Sequence, residues 1–452
     1  MNLESYSGTN YSNYKISKSN IFLPKNNEEI FQIIDFAIKK NLKILSIGSS
    51  LSWYDTVFNS NNIVINLRNY KNIFSFDNKN GILTVSPSYK IHEVLDKINK
   101  YEWSIYSIPG SLDVTIGGCI GNDVHGKDSF KFGNFGENVI EIEVILSDKK
   151  IIKCSKETNK EIFKAVIGGL GLIGIITKVK LKLKKINSFY ETTNHVCNNY
   201  NEIIKELYFQ REKHDYIFGW IDTFAKKKKI GRGVIFKSKK YFTSSKNLML
   251  KKNLTSTLKV KLQEKIFSFC VKNNLVNYLN IFFLKNFMLK KRSINSYKEM
   301  TYPLTAYGID VKKAIFPYSF LEVQIILKKN TLPESLSEFI KKCQNLNLKG
   351  FVIGIKMHKN SNNYLSFAGD GVSININQIF TKKNEKQIFQ KFHELYKFII
   401  EKNHKIYLCK DFILKKNNFF KNYEYAKQFF SIKEKYDKNN LFSSDFLDRI
   451  KK

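Results

Sequence analysis

The chain has 452 residues, too many for one small core and a suitable length for two compact domains. With 43% hydrophobic, 14% aromatic and 25% charged residues it is globular, which excludes a disordered chain. The formal charge of +35 comes from 75 Lys plus Arg against 40 Asp plus Glu, yet only Arg68, Arg211, Arg232, Arg292 and Arg449 are arginines. Proteins that read base edges and grip phosphates favour the guanidinium fork, so no nucleic-acid partner is expected.

Six cysteines at 119, 154, 197, 270, 343 and 409 form no CxxC pair and no regular spacing. That argues against a zinc ribbon and a disulfide framework and favours reduced thiols in a cytoplasm. Met1 to Lys18 is polar and has no apolar core of a secretory signal. The most apolar stretch, Ile266 to Leu289, is broken by Lys272, Asn273, Asn274, Lys285 and Asn286, short of the roughly 18 apolar residues of a membrane span. A soluble protein is expected, with peripheral contact at the inner membrane surface as an additional expectation.

Along the first 185 residues helical and strand periods alternate. Ile30, Ile33, Ile34 and Ala37 share one helical face, and Lys43 to Ile47 reads as a strand running into Gly48. Ile63–Leu67 and Gly81–Ser86 read as short strands, Ile91–Asn99 as a helix and Val139–Leu146 as a strand. In Thr177–Lys184 lysines alternate with Val179, Leu181 and Leu183, the pattern of a half-exposed strand. The class is α+β.

From about 188 to 300 Gly becomes scarce, and lysine runs (Lys226 to Lys229, Lys239-Lys240, Lys290-Lys291) flank amphipathic stretches such as Tyr278–Leu289. Strands are expected at Phe320–Leu327, Phe351–Lys356 and Val372–Asn377, and helices at Leu336–Cys343 and Glu385–Asn403. The last fifty residues carry a strand, Lys405–Cys409, and a helix around Asn422–Tyr436, both expected to pack back on the first domain.

The most informative segment is PGSLDVTIGGCIGNDVHGKDSFKFGNFGENV, from Pro109 to Val139. Gly117, Gly118, Gly121, Gly126, Gly133 and Gly136 fall within it, in a chain with only 22 Gly. Glycines permit positive φ and bring bare N–H groups against a ligand, as in a pyrophosphate cradle; tight turns between strands are the plain alternative. His125 and Lys127 in the same loop favour a ligand. A second cluster, Gly169 to Gly174, spells GxGxxG, but a helix precedes it and a strand follows. That order is the reverse of a dinucleotide fingerprint.

The order of these features resembles the FAD-linked oxidases related to vanillyl-alcohol oxidase. The motifs are the loop GSSLSWYD (48–55), IPGSLDVTIGGCIGNDVHGKD, IGGLGLIGII, KIYLCKD (405–411) and KYDKNNLFSSDFLDRI (435–450). Within that superfamily the likeness is greatest to the polyprenyl-phosphoryl-ribose 2'-oxidases, and it covers the whole chain, most weakly between about 188 and 295. The resemblance implies a two-part FAD-binding domain with an inserted α+β cap domain built on an antiparallel sheet. Its boundaries are 1–187 for the FAD-binding domain, 188–404 for the cap and 405–452 for the returning segment.

By the same resemblance, Gly48, Ser49, Ser50, Leu51 and Ser52 form the first pyrophosphate loop, followed by Trp53 where such enzymes have a Tyr. Pro109, Gly110, Thr115, Gly117, Gly118, Asn122, His125 and Gly126 line the flavin from the other side, with Ile173 and Ile175 at the adenine end. Ser50 stands where these enzymes usually carry Gly. Lys127 after His125 favours non-covalent FAD. Lys410 is implied as the cation beside the flavin. Gln324 and Lys356 are the other implied catalytic residues, with Lys127, Tyr302 and Asn375 on the substrate; Asn375 replaces a Cys. The implied reaction is oxidation of the C2 hydroxyl of a lipid-linked ribose, with a short-chain dehydrogenase-type reductase partner completing an epimerisation. An oxygen-using alditol or aldonolactone oxidase is the alternative, and a cofactor-free polyanion-binding protein a remote one. The lysines and apolar faces of 226–295 suit a lid over a lipid phosphate, or a plain solvated surface.

Overall fold

The computed structural model describes residues 4–14, 16–242, 257–289, 291–301, 310–348 and 350–451. Three sheets organise them. A four-stranded sheet runs in the order Glu4–Thr9, Ile16–Phe22, Ile63–Asn66, Ile44–Ile47; its first pair is antiparallel and the others parallel. Helix Asn27–Lys39 serves this sheet. Asn26 caps it by accepting from the Glu29 N–H at 3.0 Å, and its buried residues are Ile30, Ile33, Ile34 and Ala37, the face expected from their spacing. Each of those isoleucines contributes roughly 1.5–3 kcal/mol by burial.

The second sheet has six antiparallel strands: Phe74–Asp77, Ile82–Val85, Ile175–Lys185, Val139–Ile145 and Ile151–Ser155 in order, with Trp103–Ile105 pairing the far end of Ile175–Lys185. Lys184 departs from the half-exposed pattern. It is buried, ion-paired with Asp128 and lies over the Tyr216 ring at 4.6 Å. Alternation assigns a face to a residue but does not tell whether a second layer covers that face, and here one does.

That layer belongs to an eight-stranded antiparallel sheet. Its order is Arg292–Ser296, Phe189–Cys197, Gly233–Tyr241, Tyr216–Ile221, Gly354–His358, Gly371–Phe380, Ser319–Lys328, Lys405–Ile406. The α+β class and an antiparallel sheet built from the strands after residue 188 are as expected. Two strands are shorter than their apolar runs, since Phe351–Lys356 becomes Gly354–His358 and Lys405–Cys409 becomes Lys405–Ile406. The latter also joins the large sheet, pairing Ile325 with Ile406, rather than returning to the first region. The helices beyond it do return: Ser443 N–H donates to Ile44 O at 2.9 Å and Asp445 N–H to Phe58 O at 2.8 Å. No helix among the described residues is long and apolar enough to cross a membrane.

Candidate active site and cofactor cleft

A cleft of about 350 Å³ opens between the first two sheets. Gly48 to Ser52 form one wall and Thr115, Gly117, Gly118 and Asn122 the opposite one; Ile173 and Cys409 also line it. The second wall is a short helix, Ile116–Gly121, which glycine-rich sequence does not advertise. Thr115 nucleates it by accepting from the Gly118 N–H at 3.1 Å.

The walls leave no room for side chains. A Cβ on Gly48 would run into Thr115 Oγ1, and one on Gly117 would lie 2.9 Å from the Pro87 Cβ. Ser50 holds φ +55°, keeping the left-handed backbone that the usual glycine would supply. One buried polar atom of the wall, Asn122 Oδ1, has no hydrogen-bond partner among the described residues. A narrow cradle of backbone with a vacant polar position fits a flavin dinucleotide.

The other expected cofactor residues do not line this cleft. Trp53 packs on Tyr11 and Phe320, Gly110 is exposed beside half-buried Pro109, and Gly126 is wedged against Ser107. The Ile175 side chain joins Ile145 in the core beneath the four-stranded sheet. His125 is buried and accepts from Gln324 Nε2 through its Nε2 at 3.0 Å, with the His358 ring 4.9 Å away. Burial, then the charge of Lys356, hold its pKa well below the usual histidine value.

Beside the cleft lies a buried polar face of the large sheet. Strand Ser319–Lys328 alternates, so Glu322 and Gln324 point the same way. They stand in register with Asn377 and Asn375 of the neighbouring strand, and Ser373 stands opposite Lys356. Glu322 collects the contacts: Oε1 accepts from Lys410, and Oε2 from Asn375 at 3.1 Å and Asn377 at 3.0 Å. Lys410 ends the turn Leu408–Lys410, which the main chain anchors through Tyr407 N–H to Gln324 O at 2.9 Å. Its Nζ lies 4.6 Å from the Trp53 ring centre.

Lys356 faces the same region and makes no ion pair among the described residues. Burial first, and Lys410 second, push its pKa down to about 8. Lys127 is placed differently. Its Nζ donates to Met300 O at 2.9 Å and Thr301 O at 2.7 Å over the Phe218 ring, so its hydrogen bonds go to main chain. Tyr302 lies outside the described residues. Sequence reasoning singled out Lys410, Gln324, Lys356 and Asn375, which the fold brings together, but missed Glu322, Asn377 and Ser373. The available signal was alternation: E-V-Q and S-I-N-I-N place those residues on the same face as Gln324 and Asn375.

An FAD binding domain model matches residues 19–155, and a D-arabinono-1,4-lactone oxidase model matches residues 181–450. The chain is 25% identical over 195 residues to a decaprenylphosphoryl-beta-D-ribose oxidase of Mycolicibacterium smegmatis, covering 42% of each chain. It is 30% identical over 175 residues to the D-arabinono-1,4-lactone oxidase of Debaryomyces hansenii, covering 36% of this chain and 31% of that one. It is 29% identical over 180 residues to cytokinin dehydrogenase 3 of Arabidopsis thaliana, covering 38% and 34%. In each case the matched stretch spans less than half of the relative.

Proposed function

Because the chain belongs to the D-arabinono-1,4-lactone oxidase family and carries an FAD-binding domain, we propose that it oxidises a secondary hydroxyl of a sugar, the C2 hydroxyl of a polyprenyl-phosphoryl ribose. Bound FAD supplies the acceptor for the hydride leaving C2. Gly48 to Ser52, Thr115, Gly117, Gly118 and Asn122 would hold it.

Gln324 and Asn375 offer amide groups to the sugar hydroxyls from the sheet face. Lys356, with its pKa near 8, takes the hydroxyl proton on Nζ as the ketone forms. Lys410 provides a fixed positive charge next to Cys409, which lines the cleft, and such a charge would stabilise the negative charge of a reduced flavin held there. The observation that carries the reading is this convergence of Lys356, Gln324, Asn375 and the Lys410–Glu322 pair on one buried face beside the cleft.

The substrate choice rests on one support: the relative from Mycolicibacterium smegmatis bears the name of a decaprenylphosphoryl-beta-D-ribose oxidase. A 2-keto product calls for a short-chain dehydrogenase-type reductase partner to complete an epimerisation. A second reading, oxidation of a 1,4-lactone, is favoured by the family match over residues 181–450.

The test is an anaerobic visible spectrum of the purified protein with each substrate. Bleaching of the flavin band by polyprenyl-phosphoryl ribose and not by free lactones or alditols supports the first reading. Bleaching by lactones alone replaces it with the second. A protein that cannot take up FAD overturns both.

A further inference from the structure

Helices Thr257–Lys272 and Val276–Leu289 form a pair whose inner and outer faces are both apolar. Inside, Phe267, Val271 and Val276 pack with Ala314, Ile315, Phe320 and Phe351. Asn280 ties the pair to the large sheet by donating to Asp222 at 2.8 Å. Outside, Leu262, Ile266 and Phe269 follow one another at spacings of four and three, and Tyr278, Ile281 and Phe282 at three and one. Those spacings draw a stripe along each helix. Seven of the thirteen large apolar side chains that stand exposed among the described residues lie on these two helices. An eighth, Phe316, is 65% exposed beside them, where Lys272 Nζ donates to its carbonyl at 2.7 Å. Such a concentration marks a contact surface.

Charge selects the partner. Among the described side chains the two helices carry Lys265, Lys272 and Lys285 against a single acid, Glu264. A second copy would oppose lysines with lysines, in a chain whose formal charge is +35. An anionic bilayer satisfies both features, since its headgroups meet the lysines while aromatic and aliphatic side chains enter the acyl boundary. We propose that this helix pair seats the protein on the surface of an anionic lipid bilayer.

The seat adjoins the active site. From Phe267 on the inner face, ring contacts run to Phe351 at 6.3 Å, to Phe320 at 6.2 Å and to Trp53 at 4.8 Å, and Trp53 carries Lys410. A substrate anchored in the bilayer would thus reach the polar sheet face without leaving the lipid. Docking itself does not depend on which substrate is oxidised.

The experiment is flotation of the full-length, FAD-loaded protein with vesicles of phosphatidylcholine containing roughly 30% phosphatidylglycerol, and with phosphatidylcholine alone. Binding to the anionic vesicles is expected. The triple variant Phe269→Ser, Tyr278→Ser, Phe282→Ser should weaken it by about tenfold or more, and Lys265→Glu with Lys285→Glu similarly. These side chains are exposed, so melting temperature and flavin content should match the parent. Equal affinity for both vesicle types, no vesicle binding, or a dimer in sedimentation that the triple variant dissolves would overturn the proposal. The last would assign the surface to a second copy. None of these outcomes touches the oxidase reading, which the flavin spectrum tests separately.

Discussion

The ammonium of Lys410 is paired with the carboxylate of Glu322, and this pair joins the turn Leu408–Lys410 to the polar face of the large sheet. Glu322 also holds the amides of Asn375 and Asn377, so four side chains form one network. Replacing Lys410 by Met removes the fixed charge and leaves Glu322 buried with two amide donors only. Flavin reduction is expected to slow by about 10²–10³-fold while flavin content is retained. Lys410→Arg should recover part of the rate because it keeps the charge. Stopped-flow reduction under anaerobic conditions measures this, and a parental rate in Lys410→Met would remove Lys410 from the chemistry.

Lys356 gives the reaction a pH dependence with a defined sign. Its pKa is pushed down to about 8, so the free amine grows as pH rises from 7 to 9. As a proton acceptor it should make kcat climb over that window and level off above it. Lys356→Gln should flatten the profile and lower the plateau by roughly 10²–10⁴-fold. If Lys356 served only to hold a phosphate, KM would instead rise with pH while kcat stayed level. The two slopes are opposite in their effect on kcat/KM and separate the roles.

The cradle can be tested without any substrate. Gly48→Ala drives a methyl into Thr115 Oγ1, the same atom that caps the Gly118 N–H, so both walls are disturbed. The ratio of flavin to protein absorbance after gel filtration should fall several-fold. Ser50→Gly is the control, since it relieves a left-handed serine and should stabilise by about 1 kcal/mol with flavin retained. Full flavin occupancy in Gly48→Ala would place the cofactor elsewhere.

The contrast between what sequence displays and what it hides is physical. The helix around Ile30, Ile33, Ile34 and Ala37 was legible because its environment is one-sided, core within and solvent without. The polar face around Glu322 was only half legible, because alternating E-V-Q is the signature of a strand with one wet face. Here that face is buried under the FAD-binding region instead. Lys184 was misplaced for the same reason. The glycine segments were legible as a ligand loop, but Ile116–Gly121 was not legible as a helix, since its residues have poor helix propensity and its start depends on the Thr115 cap.

The C-terminal motif SSDFLDRI has a structural explanation that yields the last prediction. Asp445 accepts from Ser60 N–H and Ser60 Oγ, both at 2.7 Å, and fixes the helix Asp445–Lys451 near the first loop. Arg449, largely buried, then reaches Asp55 through Nε at 2.7 Å and Asp411 through Nη1 at 2.9 Å. Asp55 follows the Gly48–Ser52 loop by three residues and Asp411 follows Lys410 directly, so one guanidinium ties the cofactor loop to the turn bearing Lys410. Arg449→Met strands two carboxylates and should cost about 3–5 kcal/mol, read as a lower temperature of flavin release and slower reduction. Arg449→Lys should fail to rescue, because an ammonium cannot span both carboxylates as the fork does. Adding Asp411→Asn to Arg449→Met should return part of the loss by removing one stranded charge. If Arg449→Lys releases flavin at the parental temperature, the fork is not what holds the two segments together.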